Sequence, residues 1–476
     1  MLKRKLTAAG CACLLAGCAG IPAQFEPAAE PVPPVAYQND APANDQVSAA
    51  IPVEWWQAYQ DPDLSQLIAS TLQQNPSIDI AAARLAAARA QWQSLDAERQ
   101  PRVNAGAGAS DGETSENTPS GLAMGRRSVQ GAKYSIGVDA SWEWDLWGRR
   151  ARAVEAGEAR LAAAQADVAG MRLALSAETA LYYWQLRAAE ADQALLENTS
   201  NVRAESEQLL SSRLDAGLIG EFDVVRARVE LANAQADVED ARRRRALAEH
   251  ALATLTGRPL RDFAVAAWKH DRILPVPPAV GPALPADLLA RRPDLTASAN
   301  LVRAQLAQRG VAAAAFYPMI ALTGDFGFAS SSLYDLARSG SRQFNIGPLT
   351  LSLPVFDGGR NQANLALAEA RYDEAVAVHR NTLLVALREV DDALTEMKAR
   401  QLQIRAQQLS LASAQRAADI ARARYDKGMT SYLDAIDAQR SVLAIERGLL
   451  QSRARALFVS VQLVRALGGG WRTETN

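Results

Sequence analysis

The chain has little of the chemistry that enzymes use. Its 476 residues include only three histidines and three cysteines, and 51 basic residues face 53 acidic ones. That balance leaves no positive excess to neutralise a phosphate backbone, so we expect no nucleic-acid partner. Hydrophobic residues make up 49% but aromatic residues only 6%, which favours long, closely packed helices rich in Ala and Leu. No run reaches the roughly 18 apolar residues of a membrane-spanning helix, so any membrane crossing is expected to use β-strands.

The N-terminal segment is predicted to be a targeting signal followed by a tether. Residues 1–17 carry three basic residues, then an apolar run, then small residues, the pattern of a bacterial signal peptide. Leu15-Ala16-Gly17-Cys18 resembles the lipobox of bacterial lipoproteins, with an ordinary secretory signal as the alternative. Lipid attachment to Cys18 would account for a thiol that is otherwise unpaired. Ala19 follows in place of an inner-membrane retention Asp, which favours the outer membrane, and the Pro- and Ala-rich residues 18–52 are predicted to be a tether.

The sequence contains an internal repeat. The segment 213–223 recurs as 424–434, 211 residues later. Pro76 and Pro101 recur at a spacing of 217, so a six-residue length difference is expected between Pro101 and Gly148. Each repeat is predicted to contain a helix, a β-hairpin and a long helical hairpin. The predicted segments are repeat one at 53–260, a linker at 261–283, repeat two at 284–470 and a tail at 471–476.

Three runs show the alternation of β-strands. They are residues 134–142, 320–328 and 344–353, the last with a phase break at Pro348. Runs of about ten residues with one apolar face are typical of outer-membrane barrel strands, although a soluble β-sandwich gives a similar pattern. The interval from Gly106 to Lys133, which is rich in Gly, Ser, Thr and Asn and includes Asp111 and Gly112, is predicted to be a solvent-facing loop.

Long heptad stripes follow the strands. In repeat one the seven-residue period runs from Val154 to Leu210 and is broken only at Arg203, and in repeat two it runs from Val376 to Ala418. Such heptads indicate helices that supercoil with neighbours, with a plain coiled-coil rod as the alternative. Four strands per chain would leave unpaired sheet edges in lipid. The predicted fold class is therefore mainly α with a membrane β-barrel: three chains form a 12-stranded barrel continued by a long α-helical barrel.

Several motifs together carry a resemblance to a known family. They are Trp142-Glu-Trp-Asp-Leu-Trp-Gly-Arg149, Leu353-Pro-Val-Phe-Asp-Gly-Gly-Arg360, Arg291-Arg-Pro-Asp-Leu295, and the Asp-x-Gly turns at Asp215 and Asp426. From about Trp55 to Gly470 the chain resembles TolC/OprM-type outer-membrane factors, in particular the NodT-like lipoproteins of tripartite efflux systems. The resemblance implies a homotrimer in outer-membrane lipid that extends through the periplasm to an adaptor (membrane fusion protein) and an RND-type inner-membrane pump. It implies a passive exit duct, with no cofactor beyond the lipid on Cys18.

The resemblance also implies a role for the two glycine turns. Gly217 and Gly428 break their helices at equivalent places in the two repeats. The tips, which comprise Gly217, Leu218, Gly428 and Met429, would contact the adaptor, and an exposed Leu or Met would suit an apolar contact. A plain connector without a partner is the alternative.

The residues after the second turn are candidates for a periplasmic gate. Asp434 and Asp437 are three residues apart and therefore lie on one helical face. They match family residues that face the lumen at the closure, where a trimer would present a ring of carboxylates; a helix-start charge is the alternative for Asp434. Asp223 holds the equivalent place in repeat one. Tyr425 also matches a closure residue, whereas Thr430 stands where the family usually has an arginine.

No motif in the sequence favours an enzyme. His250, His270 and His379 are scattered, and there is no metal-ligand spacing, nucleophile motif or phosphate loop. The run Arg242–Arg245 is predicted to be a solvated or ion-pairing helix face. Two other functions stay open, namely the outer-membrane duct of a type I protein secretion system and a non-channel coiled-coil periplasmic lipoprotein.

Overall fold

The computed structural model describes residues 52–123, 125, 128, 130–266, 268, 274–278 and 291–469. The predicted signal peptide, Cys18, the tether up to residue 51, His270, part of the predicted linker and the C-terminal tail lie outside the described residues. In chain order the elements are α1 (Pro62–Gln74), α2 (Pro76–Ala97), β1 (Arg102–Glu113), α3 (Pro119–Ala123), β2 (Gln130–Trp144), α4 (Arg149–Asp215), α5 (Glu221–Leu255), α6 (Pro293–Ala314), β3 (Met319–Ser330), β4 (Arg342–Ser352), α7 (Arg360–Asp426) and α8 (Tyr432–Ala466). Short 3₁₀ turns lie at Trp55–Tyr59, Leu260–Asp262 and Ser339–Ser341.

The four strands form one antiparallel sheet in the order β1-β2-β3-β4. The predicted alternation is confirmed, because apolar side chains share one face across the strands: Val138 pairs with Phe326, and Phe326 pairs with Phe344. All three are exposed in the single chain. The adjacent positions on the opposite face are polar, namely Asp139, Asp325 and Asn345. The sheet therefore has one apolar face, one polar face and two edge strands, β1 and β4.

The prediction of a loop from Gly106 to Lys133 is wrong at both ends. β1 continues to Glu113 and β2 begins at Gln130, so Asp111 pairs with Ala132 and Gly112 pairs with Gly131. Gly, Ala and Ser have weak intrinsic strand preference, but pairing with β2 supplies the hydrogen bonds that hold them in the sheet. Among the described residues between these two strands, Pro119–Ala123 form α3.

The long helices repeat with the spacing read from the sequence. α4 and α7 each span 67 residues, α5 and α8 each span 35, and the second member of each pair begins 211 residues after the first. β1 and β3 lie 217 residues apart, so the length difference falls between β1 and α4. Every predicted heptad position in α4 and α7 is buried or half-buried. No helix among the described residues combines the length and apolar character needed to cross a membrane.

The chain divides into two compact units, and each unit takes segments from both repeats. One unit contains Leu85–Ala163 and Ser298–His379, and hence all four strands. The other contains the described residues up to Arg84, Ala164–Ala297, and the residues from Arg380 onward. In its core, the N-terminal segment Trp55–Gln74 packs against α4, α5 and α8. The buried side chains include Trp55, Leu64, Trp184, Leu252 and Leu457.

Candidate functional site

Both long hairpins turn through the same glycine motif. Gly217 and Gly428 each have φ +71°, a conformation that favours glycine. The amide of Leu218 donates to the carbonyl of Arg213 at 2.9 Å, and Met429 makes the equivalent bond at 2.9 Å. These bonds close α4 and α7 as Schellman turns. The side chains of Leu218 and Met429 are 73% and 70% exposed, so each predicted tip is a fixed turn that presents an apolar residue to solvent.

An apolar cluster packs the helices together next to these turns. Its buried members are Leu210, Val224, Ala227, Tyr432 and Ile436. Tyr425 is half-buried beside the cluster, with its ring 5.6 Å from the ring of Tyr432. The Arg213 guanidinium donates to the Tyr425 hydroxyl at 3.3 Å. Tyr425, predicted as a gate residue, therefore links the end of α7 to α4 and α8.

Asp434 and Asp437 are both exposed on α8 but have different local partners. The Asp434 amide donates to the Ser431 hydroxyl at 3.3 Å and the Ser431 amide donates to the Asp434 carboxylate at 3.2 Å, which is a capping box. The Asp434 carboxylate also accepts from the hydroxyls of Ser431, at 2.8 Å, and of Thr430. The hydrogen bonds from Thr430 and Ser431 lower the pKa of the Asp434 carboxyl. Asp437 instead accepts from Arg440 at 3.1 Å. Asp434 therefore caps the start of α8 together with Ser431. Asp437 takes no part in this cap, so its carboxylate, paired with Arg440, can face another surface.

Asp223 lies at the equivalent position in the first turn of α5. The residue at the N-cap there is Gly220, which offers no side-chain hydrogen bond to the helix start. Asp223 therefore has no capping partner comparable to Ser431. The two hairpins share their glycine turns but differ in how the following helix begins.

These local partners predict different effects for the two aspartates. We expect Asp434→Ala to lower the thermal unfolding midpoint of the solubilised protein, because it removes the capping box. We expect Asp437→Ala to leave that midpoint nearly unchanged, because it removes a single exposed ion pair. Differential scanning fluorimetry of both variants checks the ranking, and a larger shift for Asp437→Ala would contradict it.

Sequence reasoning did not single out Glu230, a buried carboxylate near the turns. Its side chain is 3% exposed and lies 2.9 Å from the Arg203 guanidinium of α4, and it also pairs with Arg440 of α8. The hydrogen bond from Arg440 is the main cause that lowers the pKa of Glu230. Arg203 is the residue that interrupts the heptad stripe, so the ion pair explains that interruption. A charge at a heptad position was the only sequence signal for this group.

A second buried carboxylate repeats the arrangement farther along the same helices. Asp192 of α4 is 7% exposed and pairs with Arg244 of α5 at 2.7 Å and with Arg447 of α8 at 3.1 Å. We call these two groups the ionic clamps: Glu230 with Arg203 and Arg440, and Asp192 with Arg244 and Arg447. Each clamp joins α8 of repeat two to both helices of the repeat-one hairpin.

The arginine run on α5 serves ion pairing, as predicted. Arg242 pairs with Glu197 and Glu239, Arg243 with Asp240, Arg244 with Asp192 and Asp240, and Arg245 with Glu190 and Glu249. Within the described part of the chain, no group of three or more His, Cys, Asp or Glu side chains could hold a metal ion.

The motifs at the starts of α4 and α7 are built from turns and ion pairs. Glu143 accepts from Arg149 at 2.6 Å and from Arg150 at 3.0 Å, at the junction of β2 and α4. At the start of α7, Asp357 accepts from the amides of Asn361 at 2.9 Å and Gly359 at 3.0 Å, and these bonds lower its pKa. These residues fix the passage from strand to helix in each repeat.

Comparison with known proteins gives one consistent family. A family model described as outer membrane efflux protein matches residues 67–258 and 284–469. The chain is 35% identical to outer membrane protein OprJ of Pseudomonas aeruginosa over 461 residues, covering 96% of this chain and 94% of OprJ. It is 33% identical to the solvent efflux pump outer membrane protein SrpC of Pseudomonas putida, covering 97% of each chain.

A solved structure matches over the same extent. The CmeC outer membrane channel of Campylobacter jejuni superposes with a TM-score of 0.85 at 26% identity, covering 96% of each chain. The match extends over nearly the whole chain, and it agrees with the predicted fold class. The chain therefore belongs to the outer membrane efflux protein family.

Proposed function

We propose that three copies of this chain form the outer-membrane exit duct of a tripartite efflux system. The observation that carries the proposal is a four-stranded sheet with an exposed apolar face and two edge strands. Unpaired edges are not stable in lipid, so the sheet must be completed by other copies. Three copies give a closed barrel of twelve strands, with the apolar face toward lipid and the polar face toward the lumen.

We further propose that the conduit is closed at rest. We place the closure at the glycine turns, where Tyr425, Asp434, Asp437 and Asp223 lie near the ends of the long helices. The ionic clamps would hold α8 in the closed position. Efflux channels, unlike enzymes, carry out no chemical step, so the energy for transport would come from the partner pump.

The partners follow from the same proposal. We assign the exposed tips, with Gly217, Leu218, Gly428 and Met429, to contact with a periplasmic adaptor, and the inner-membrane pump to the RND type. Export of a protein through a type I secretion system would require the same duct with another pump.

Deleting the gene and measuring retention of the fluorescent dye Hoechst 33342 tests the function. We expect dye accumulation to rise in the deletion strain and to fall again when the full chain is supplied. A matched strain should carry a chain truncated before α7, which lacks two of the elements that form the duct. Unchanged dye retention together with loss of a secreted protein would favour type I secretion and contradict efflux.

Lipid attachment is expected on Cys18. Mass spectrometry of the mature protein should show an N-terminal cysteine carrying a diacylglycerol group, because the preceding Leu15-Ala16-Gly17 matches the processing signal. Cys18→Ser should abolish the added mass. An unmodified mature chain that begins at another residue would contradict the prediction.

A further inference from the structure

The two repeats pair their own strands in the same register. In repeat one, Arg102 of β1 lies opposite Ser141 of β2. In repeat two, Met319 of β3 lies opposite Ser352 of β4. The first members of these two pairs are 217 residues apart and the second members are 211 residues apart, the two spacings at which the repeats align. The equivalence of the repeats therefore extends to single residues at this end of the sheet.

The chain also contains a boundary between the repeats, where β2 of repeat one pairs with β3 of repeat two. Trp144 lies opposite Ile320 at this boundary. Next to it, the turn between β2 and α4 packs on the turn between α6 and β3. The Trp147 ring stacks on the Tyr317 ring with centroids 4.8 Å apart, and its Nε1 donates to the Pro318 carbonyl at 2.8 Å. The boundary is thus a strand pair together with a packed pair of turns.

The surfaces equivalent to this boundary are uncovered at the two edges of the sheet. Residues 314–318 around the α6–β3 turn are buried or half-buried, whereas the equivalent residues 97–101 at the α2–β1 turn are all exposed. Val355 is equivalent to Trp144, and Val355 and Phe356 are 90% and 92% exposed after the end of β4. Each edge of the sheet therefore carries one half of a second boundary.

We propose that β4 of one copy pairs with β1 of the next copy in the register of the internal boundary. Shifting the pair Trp144–Ile320 by the two repeat spacings places Val355 opposite Val103 of the next copy. The β4–α7 turn then packs on the α2–β1 turn of that copy. Repeating one such contact around a ring closes it. This inference rests on the proposed function and adds the residues that join the copies.

The register specifies which residues of the two copies face each other. With the β4 residue first and the residue of the next copy second, the opposite pairs are Val355 and Val103, Leu353 and Ala105, Ser352 and Gly106, and Thr350 and Gly108.

The sizes of the side chains fit this register. On the apolar face, Ala105 of β1 lies opposite Val138 of β2. The proposed register places Leu353 on the other side of Ala105, so a small side chain lies between two large ones. A slip of one residue would turn the leucines of β4 toward the polar face. The faces of the sheet therefore exclude odd slips, and only a residue-specific measurement distinguishes the proposed register from a slip of two.

Double-cysteine variants of the full chain in outer membranes test the register. The in-register variants are Gly108→Cys/Thr350→Cys and Gly106→Cys/Ser352→Cys. The matched controls exchange the partners, as Gly106→Cys/Thr350→Cys and Gly108→Cys/Ser352→Cys. A Cβ added at Gly106 meets no atom within 4 Å, and one added at Gly108 meets only the Ser135 hydroxyl at 3.3 Å. Both glycine positions therefore have room for a cysteine.

Oxidation with copper phenanthroline should link the in-register variants into covalent trimers at least tenfold faster than the controls. Opposite residues of antiparallel strands have Cα atoms about 5 Å apart, which suits a disulfide, whereas diagonal neighbours are about 7 to 8 Å apart. Equal rates, faster linkage of the controls, or no linkage of the in-register variants would overturn the register. Dye retention in the deletion strain, measured with each reduced variant, reports on the duct separately.

The packing of the two turns is tested by Val355→Ser/Phe356→Ser. We expect the trimers of this variant to dissociate roughly 10 °C or more below the wild type on mild-detergent gels, because apolar contact between copies is lost. Leu333→Ser/Tyr334→Ser is the matched control, since these side chains are 68% and 82% exposed between β3 and β4. Circular dichroism verifies the fold of each variant. An unchanged dissociation temperature, or an equal shift in the control, would overturn the turn contact.

Discussion

Replacing Glu230 with alanine should open the resting channel and destabilise the chain. The variant removes from α5 the carboxylate that is shared by Arg203 of α4 and Arg440 of α8. Arg440 is 44% exposed and stays solvated, so the cost falls mainly on Arg203, which is 13% exposed and loses its carboxylate partner; we expect roughly 1 to 3 kcal/mol. Arg440 keeps its ion pair with Asp437, but both residues lie on α8, so this pair does not join α8 to the other helices. We expect single-channel conductance in planar bilayers to rise several-fold.

Glu239→Ala is the matched control for this change. Glu239 lies on the same helix as Glu230 and pairs with Arg242, but its side chain is 70% exposed, so its loss should cost less than about 1 kcal/mol. Its conductance should equal that of the wild type. A Glu230→Ala channel that remains as closed as the Glu239→Ala channel would show that the clamp does not hold the closure.

If Glu230 holds the proposed closure, the conductance should depend on pH with a defined sign. The hydrogen bond from Arg440 lowers the pKa of Glu230 below its usual value, so the clamp is fully formed above the ordinary glutamate range of about 4. The stabilisation is lost as the pH falls through the lowered pKa. Acidic conditions should therefore raise wild-type conductance and leave the already open Glu230→Ala channel less affected.

Replacing Arg187 with alanine should release the N-terminal segment Trp55–Gln74 from α4. The Arg187 side chain is fully buried, and its guanidinium pairs with Asp63 at 3.2 Å and Glu190 at 2.8 Å. It also donates to the carbonyl of Ala266 at 2.9 Å and lies 4.8 Å from the Tyr183 ring centroid. One side chain thus joins α1, α4 and the segment after α5. Its loss should lower the free energy of unfolding by roughly 3 to 5 kcal/mol.

Limited proteolysis and thermal unfolding measure this effect. Chymotrypsin should cut the Arg187→Ala chain at Trp55, Trp56 or Tyr59, just before α1, and at Phe263, just after α5, at concentrations that leave the wild type intact. Arg187→Lys should rescue only part of the loss, because an ammonium cannot make the forked contacts of a guanidinium. Arg243→Ala, at a side chain that is 60% exposed, is the control and should behave as the wild type; equal protease resistance of Arg187→Ala would contradict the role given to this residue.

The repeat allowed much of the fold to be predicted from the sequence. Heptad spacing and duplicated glycine turns depend on residues close together in the chain, so the presence of α4 and α7 and the turns that end them follow from local pattern. The capping box of Asp434 was not predicted, although Ser431 three residues earlier forms a local Ser-x-x-Asp pattern that signals it. The pattern alone left a helix-start charge and a lumen-facing gate as alternatives, and the structure supplies the hydrogen bonds of the cap.

The clamps and β1 could not be predicted in the same way. Glu230 meets Arg203 and Arg440 only after two hairpins have packed, and nothing in the local sequence marks one glutamate among many on α5. β1 consists largely of Gly, Ala and Ser, whose strand conformation is stabilised by pairing with β2 rather than by intrinsic preference. Both features arise from contacts between segments that are distant in sequence.

Cysteine cross-linking between sheet edges tests the central claim of a barrel closed by three copies. The chain has no cysteine after residue 18, so disulfides can form only between introduced positions. Each variant carries one cysteine on β1 and one on β4. The β1 sites are Asn104, Gly108 and Ser110, the β4 sites are Gln343, Asn345 and Thr350, and every combination is made. These positions share the polar face of the sheet.

Oxidation of outer membranes carrying these variants, followed by non-reducing electrophoresis, gives the decisive result. The account predicts that at least one combination forms covalent dimers and trimers and nothing larger, since a ring of three has no free edge. Each single-cysteine variant should stay monomeric on the gel. Absence of trimers in every combination, or a ladder that extends beyond three chains, would contradict the closed barrel.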